Sequence, residues 1–219
     1  MKIGIIGSGN IGGTLTRRLT ALGHEVRVAN SRGPETLGDL AAETGATAVA
    51  VRDAAKDAEI VVVTIPEKAV PALPAGLFDD AAPGFVVIDT GNYYPQRDGR
   101  IAGIEDEGLT ESAWVARELG VPVIKAFNNI QAQHLLANGA PAGTSGRIAL
   151  PVAGDNPDAK AKVLALVDAL GFDPVDAGPL SESWRQQPGS PIYGADPDAD
   201  GARKALAAAT PDRPAELRG

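Results

Sequence analysis

The chain has 219 residues, 44% of them hydrophobic and 22% charged, with a formal net charge of −8 at pH 7 and no cysteine. This composition excludes a wholly disordered chain, and an acidic balance without a Lys/Arg cluster offers no electrostatic footprint for nucleic acid or an anionic membrane. Disulfides, thiolate metal sites and cysteine nucleophiles are ruled out, and the length allows one substantial core with a smaller lobe, since single domains run to roughly 100–200 residues.

Lys2–Ile6 is a β-branched run that stops at Gly7, after which Ile11, Leu15, Leu19 and Leu22 recur at helical spacing until Gly23. Glycines interrupt this opening stretch as a secretory signal, and no segment approaches the ~20 apolar residues that span a bilayer, so a cytoplasmic protein is expected. His24–Ala29 reads as a second strand, and Pro34 opens a helix carrying Leu37, Leu40 and Ala41 inward. Ala46–Val49 follows as a third strand. Ile60–Ile65, ending at Pro66, and Phe85–Asp89 are continuous apolar runs, which suit parallel strands covered on both faces.

Glu111–Leu119 predicts a helix stopped by Gly120 and leading into the strand Val121–Ala126, with a short helix at Gln131–Asn138. After the Gly/Pro-rich loop Gly139–Gly146, Ile148–Ala153 predicts another strand, and Asp155 or Asn156 caps a helix with Pro157 in its first turn. Val163, Leu164, Val167 and Leu170 form that helix's apolar stripe, and Gly171 ends it. Phe172–Asp176 is a last strand, parallel to its predecessor by the right-handed crossover rule. From Pro179 the pattern weakens into an ordered loop carrying Trp184 and Tyr193. A short Ala-rich helix near Ala202–Ala209 and a mobile tail, Thr210–Gly219, complete the chain.

Gly7-Ser8-Gly9-Asn10-Ile11-Gly12 fits G-x-G-x-x-G, and here it follows a predicted strand, opens a predicted amphipathic helix and leads to a second strand. Gly7 permits the tight turn, Gly9 lets a pyrophosphate approach the backbone and Gly12 lets helix and strand pack closely, while the helix N-terminus supplies free N–H groups. The expected fold is therefore an α/β Rossmann fold, a doubly wound and mostly parallel sheet with a small C-terminal α/β extension. Residues 1–129 form the dinucleotide-binding domain, and residues 130–219 a small lobe covering the substrate side.

Where an acidic residue would bind the adenosine 2′-hydroxyl and repel a 2′-phosphate, the chain offers Asn30, Ser31 and Arg32. That substitution favours NADP(H) over NAD(H), and one charge-assisted contact from Arg32 contributes ~1.5–3 kcal/mol. Ligands of such sheets lie beyond the carboxyl ends of the strands, here also Thr64-Ile65-Pro66, Thr90-Gly91-Asn92 and Ala126-Phe127-Asn128-Asn129. Thr64 to Pro66 are expected to bracket the dinucleotide, with Asn92, Ala126 and Asn128 near the nicotinamide and Asn129 capping the next helix.

A conventional alcohol dehydrogenase needs a proton relay near its hydride acceptor. His24 and His134 are read as structural. Lys125 either reaches the site or pairs with a carboxylate, and Tyr93 and Tyr94 are either donors or packing residues with wet tips. No carboxylate pair, nucleophile–base arrangement or His-rich metal spacing is seen, which leaves hydride transfer by positioning.

The blocks MKIGIIGSGNIGGTL, NSRGPETL, IKAFNNI, LPVAGDNPDAK and LGFDPVDAGPLSESW resemble the family of NADP oxidoreductases that act with coenzyme F420, a deazaflavin hydride carrier. The likeness spans roughly residues 1–195, and the chain is also similar to the oxidoreductase domain of the six-transmembrane metalloreductases. The resemblance implies NADP on Ser8–Ile11, Ser31, Arg32, Ile65 and Pro66, with the nicotinamide beside Ala126 and Asn128. It also implies a flavin-like partner covered by C-terminal residues near Ser183, Trp184 and Arg185. Tyr93, from the reading of the residues themselves, joins Trp184 and Arg185 as a candidate substrate contact.

The expected function is thus hydride transfer between NADP(H) and coenzyme F420 or a flavin-like acceptor, by a homodimer without nucleic-acid or membrane partners. Asn128 is the candidate catalytic residue. Reduction of a small carbonyl or imine, and a non-catalytic NADP(H) sensor, are the alternatives.

Overall fold

The apolar runs of the sequence become a parallel sheet because each can be covered on both faces by the helices that connect them. The computed structural model describes residues 1–217. In chain order the elements are β1 (Lys2–Ile6), α1 (Asn10–Ala21), β2 (Glu25–Ala29), α2 (Gly38–Thr44), β3 (Thr47–Ala48), β4 (Ile60–Val63) and β5 (Val86–Asp89). Then come α3 (Pro95–Asp98), α4 (Ala102–Glu105), α5 (Glu111–Leu119), β6 (Val123–Lys125), α6 (Ala132–Ala137), β7 (Ala149–Val152), α7 (Pro157–Ala169), β8 (Asp173–Asp176) and α8 (Ala199–Ala208).

The main sheet has the order β3-β2-β1-β4-β5-β6, parallel throughout. This is the doubly wound Rossmann order, with its topological switch point between β1 and β4. Side chains alternate across it. Ile3, Ile5, Val62 and Ile88 join Leu15 and Leu19 of α1 and Val163 and Val167 of α7 on one face, and Val63, Val87 and Val123 join Trp114 and Val115 of α5 on the other.

The extension is the parallel pair β7-β8, as the crossover rule requires. It is joined to the end of β6 by the reciprocal bonds Lys125 N–H to the Ala153 carbonyl (2.8 Å) and Ala153 N–H to the Lys125 carbonyl (3.0 Å). Packing does not break at residue 129, because Ile130, Leu135 and Leu150 belong to the same apolar cluster as Ile3 and Leu15.

Local chemistry settles several element ends. Asn156 caps α7, accepting from the N–H groups of Asp158 and Ala159 at 3.0 Å each, while Asp155 accepts from Leu180 N–H at 2.9 Å. The helix expected from Pro34 is a 3₁₀ turn, Pro34–Leu37, before α2 begins at Gly38, and of its expected inward residues only Leu37 is fully buried. The segment read as a mobile tail lies against the body as far as it is described. Arg213 donates to Glu111 at 2.7 Å and stacks 5.0 Å from the Tyr93 ring. Arg218 and Gly219 of that tail lie outside the described residues.

Candidate functional site

The phosphate loop forms where β1 runs out. Gly7 takes φ +111, and a side chain there would collide with the Thr64 carbonyl; one on Gly12 would collide with the Gly7 carbonyl. Gly9 differs from both. It caps α1 at φ −70, and no atom of the described residues lies within 4 Å of where its Cβ would stand. The first helical bond runs from Gly13 N–H to the Gly9 carbonyl at 2.8 Å, so the N–H groups of Asn10, Ile11 and Gly12 have no helical acceptor. With no acidic residue in the first turn, these donors and the positive helix end face open space. The cradle fits a dinucleotide pyrophosphate.

From this loop a groove of about 980 Å³ extends both ways along the carboxyl edge of the sheet. At the adenosine end it is bordered by Arg32 and Thr36 after β2, by Arg17 of α1 and by Asp39 and Glu43 of α2. Asn30 is not a wall residue but the brace of this corner. Its Nδ2 donates to Ser8 Oγ (3.2 Å) and Thr36 Oγ1 (2.9 Å), and its Oδ1 accepts from Arg32 N–H at 2.9 Å. Ser31 is exposed and lies outside the groove, whereas Arg32 is exposed within it and has no ion pair among the described residues.

At the other end the walls are Asn92, Asn128, Ile130, Gln131 and Tyr193. Asn128 follows Phe127, which is buried at φ +63, a left-handed conformation unusual for an aromatic residue and of a kind concentrated at functional turns. The Asn128 amide is fully engaged: Nδ2 donates to Asn92 Oδ1 (3.0 Å) and the Gln186 carbonyl (2.7 Å), and Oδ1 accepts from Gln186 Nε2 at 3.0 Å. It therefore shapes the floor of the groove as part of an amide network. Ala126 is fully buried beneath it. Thr64 and Ile65 abut the phosphate loop, and neither they nor Pro66 line the groove.

Several sequence expectations are corrected here. Tyr93 is fully buried, its hydroxyl donating to the Gly99 carbonyl at 2.9 Å, because alternation along the extended chain sends Asn92 and Tyr94 one way and Tyr93 into the core. The Tyr94 hydroxyl instead bonds that of Tyr193 at the groove edge. Trp184 and Arg185 do not line the groove either. Leu180–Gln186 is a 3₁₀ helix, so residues three apart share a face; Leu180, Ser183 and Gln186 are buried, and Trp184 and Arg185 point elsewhere. Trp184 borders a separate depression with Ile104 and Leu109, Arg185 stacks on its ring at 4.4 Å, and Arg185 pairs with Glu182 at 2.6 Å. Asn129 is no cap, since Gln131 occupies the N-cap of α6; the Asn129 side chain is buried without a hydrogen-bond partner among the described residues. His24 meets the N-terminus and His134 pairs with Asp196.

Lys125 pairs with a carboxylate. Its Nζ lies 3.1 Å from Asp89 Oδ2 and donates to the Gly91 carbonyl at 2.5 Å, while Asp89 also accepts from Ser112 Oγ (2.6 Å) and Gly91 N–H (2.8 Å). This buried cluster, behind the Gly91-Asn92 turn, also holds Glu67 and Glu111. Neither Glu67 oxygen has a hydrogen-bond partner among the described residues, and burial, then the charge of Asp89, pushes this carboxyl well above its ordinary value of 4.5. Sequence reading missed Glu67, whose sole signal was a charge placed directly after a buried strand and its proline.

A folded-state value raised above the unfolded one favours the fold fully at low pH and progressively less as pH rises above about 4.5. Glu67→Gln is therefore expected to flatten the decline of Tm above that pH and to raise Tm by a few degrees near neutrality. Melting curves across a pH series check this. An unchanged profile would contradict it.

A Rossmann sheet with an anion-binding helix end, and a groove running from two arginines to an amide-lined pocket, define a nicotinamide dinucleotide-dependent oxidoreductase. The family model for NADP oxidoreductases, coenzyme F420-dependent, matches residues 2–93, and the chain belongs to that family. The crystal structure of a hypothetical protein, SMa0349 from Sinorhizobium meliloti, is 30% identical with a TM-score of 0.74, covering 90% of this chain and 94% of that one. A proposed F420-dependent NADP reductase from Arthrobacter sp. FB24 is 25% identical with a TM-score of 0.68, covering 84% of this chain and 87% of that one. The protein YjhV of Escherichia coli K12 is 50% identical over 62 residues, 28% of this chain and 45% of YjhV, so the match spans less than half of that relative.

Proposed function

We propose that this protein exchanges a hydride between NADP(H) and coenzyme F420 or a related flavin-like acceptor. The observation that carries the reading is the continuous groove from Arg32, across the open face of Gly9, to the pocket of Asn92, Asn128 and Tyr193. When bound, NADPH supplies the hydride. The free N–H groups of Asn10 to Gly12 bind the pyrophosphate, Arg32 selects the 2′-phosphate, and the Asn92–Asn128–Gln186 network keeps the pocket floor in one shape. Tyr193 takes the place expected for Trp184 as the aromatic wall of the acceptor site. A deazaflavin draws its proton from solvent, so this reaction asks for no buried acid beside the groove.

A second reading, reduction of a small carbonyl or imine, draws on one observation, the Tyr94–Tyr193 hydroxyl pair. Burial and the bond to Tyr193 raise the Tyr94 hydroxyl above its ordinary value, so Tyr94 stays protonated and able to donate.

Oxidation of NADPH with three parallel acceptors, oxidised F420, free flavins and a panel of carbonyls and imines, tests both. Under the first reading the deazaflavin turns over, and Tyr193→Phe changes its rate only a few-fold. Under the second, a carbonyl or imine turns over and the same variant loses about 100-fold or more, the usual contribution of a general acid. Silence with the deazaflavin alongside turnover elsewhere would sink the first. We also infer a homodimer, which would complete the cover of the groove; a monomer by light scattering would count against it.

A further inference from the structure

Arg32 is not the only cation at the adenosine end. On α1, Arg17 leans back toward the helix N-terminus over Gly13, as helical side chains do. A Cβ on Gly13 would stand 3.3 Å from Arg17 Nη1 and 3.6 Å from the Ser8 carbonyl oxygen, so the guanidinium overlies the turn that carries the phosphate loop. Gly13 leaves that path open.

Glu43 of α2 grips the opposite edge of the guanidinium side-on, Nε to Oε1 and Nη2 to Oε2, both at 2.7 Å. A bidentate pair of this kind fixes orientation as well as charge. It leaves Nη1 without a hydrogen-bond partner among the described residues, on the wall of the groove that also holds Arg32. Half-exposed ion pairs contribute little to folding, so a fixed fork here is better explained by what it presents than by what it stabilises. Asp39 and Glu43 line the same wall, and without Arg17 their charges would oppose an approaching phosphate.

We propose that Arg17 is a second cation for the 2′-phosphate of NADP(H), presenting Nη1 to the groove while Glu43 holds its other edge. Arg32 comes from the loop after β2 and Arg17 from helix α1, so the phosphate meets two cations carried by different elements of the same groove. The inference rests on the NADP(H) reading and adds a specificity-determining residue to it.

Calorimetric titration of the full chain with NADPH, NADH, 2′,5′-ADP and 5′-ADP tests this without any acceptor. Arg17→Ala is expected to raise Kd for the two 2′-phosphorylated ligands about 10-fold while the other two stay within about two-fold, the scale of one charge-assisted contact. Arg17→Lys should fall between, because it keeps the charge and loses the fork. An Arg17→Ala protein in which all four ligands shift alike, or none does, overturns the proposal. Two failures are distinguishable. If the wild type binds NADH as tightly as NADPH, the NADP(H) reading falls with it; if the wild type prefers NADPH, Arg32→Ala loses that preference and Arg17→Ala keeps it, only the role of Arg17 falls.

Discussion

Gly9→Ala is expected to fold as well as the wild type and to lose dinucleotide binding. No atom of the described residues lies within 4 Å of where its Cβ would stand and its φ of −70 suits any residue, so alanine meets none of them. Alanine is a poorer N-cap than glycine but restricts the unfolded chain more, and these terms, each below about 1 kcal/mol, oppose each other. The added methyl nevertheless stands where a pyrophosphate approaches the helix N-terminus. Losing two charge-assisted N–H contacts raises Kd for NADPH on the order of 100-fold. Gly12→Ala supplies the contrast, because its methyl collides with Thr64 Cγ2 and with the Gly7 carbonyl, which cannot move without breaking the turn. That variant loses binding and stability together, by about 2 kcal/mol or more. A melting curve and a titration on each protein decide the matter; a Gly9→Ala protein that binds NADPH normally would remove the phosphate-loop assignment.

The second large effect concerns Lys125. Removing its charge as Lys125→Met leaves Asp89 buried without a counter-ion beside Glu67 and Glu111, in a region where all four side chains are almost wholly inaccessible. Breaking one partner of a buried pair costs about 3–5 kcal/mol. In a chain of this size that is a fall in Tm on the order of 10 °C. Lys125→Met combined with Asp89→Asn should recover part of the loss, since the orphaned charge goes with the second change and the amide can still bond Ser112 and Gly91. A double variant no better than the single one would show that packing, not charge, carries the effect. The prediction also separates a structural Lys125 from a catalytic one. Its ammonium is held by Asp89 and the Gly91 carbonyl behind the groove wall, and it does not line the groove itself.

The elements that sequence reading located best are those whose signal is periodic. Continuous runs such as Ile60–Val63 and Val86–Asp89 have one stable solution, a parallel strand covered on both faces, and Gly120 and Gly171 mark helix ends through local backbone geometry alone. The phosphate loop was legible for the same reason. Gly7 and Gly12 answer to contacts within a few residues or with the adjacent strand, and Gly9 sits at the open helix end that the motif marks. The far end of the groove is not legible, because the sequence of Leu180–Gln186 reads as a loop. A 3₁₀ helix has period three, and that period turned Gln186 inward and Trp184 away. Tyr93 and Tyr94 differ only in parity along an extended segment, and parity has no consequence until one side is known to be the core.

By itself the sequence determined the α/β class, the Rossmann unit, the preference against an acidic ribose contact and membership of a recognisable oxidoreductase family, since each depends on local pattern. Only the tertiary structure decided which polar side chains meet. Asn128 is bound to Gln186, Lys125 to Asp89, the Glu67 carboxyl has no hydrogen-bond partner among the described residues, and Arg17 shares the groove with Arg32 and is gripped by Glu43. These pairings join residues far apart in the chain. Hydrophobic burial puts the strands in order first, and the order then dictates which charges and amides share a space, so no inspection of neighbouring residues could have revealed them.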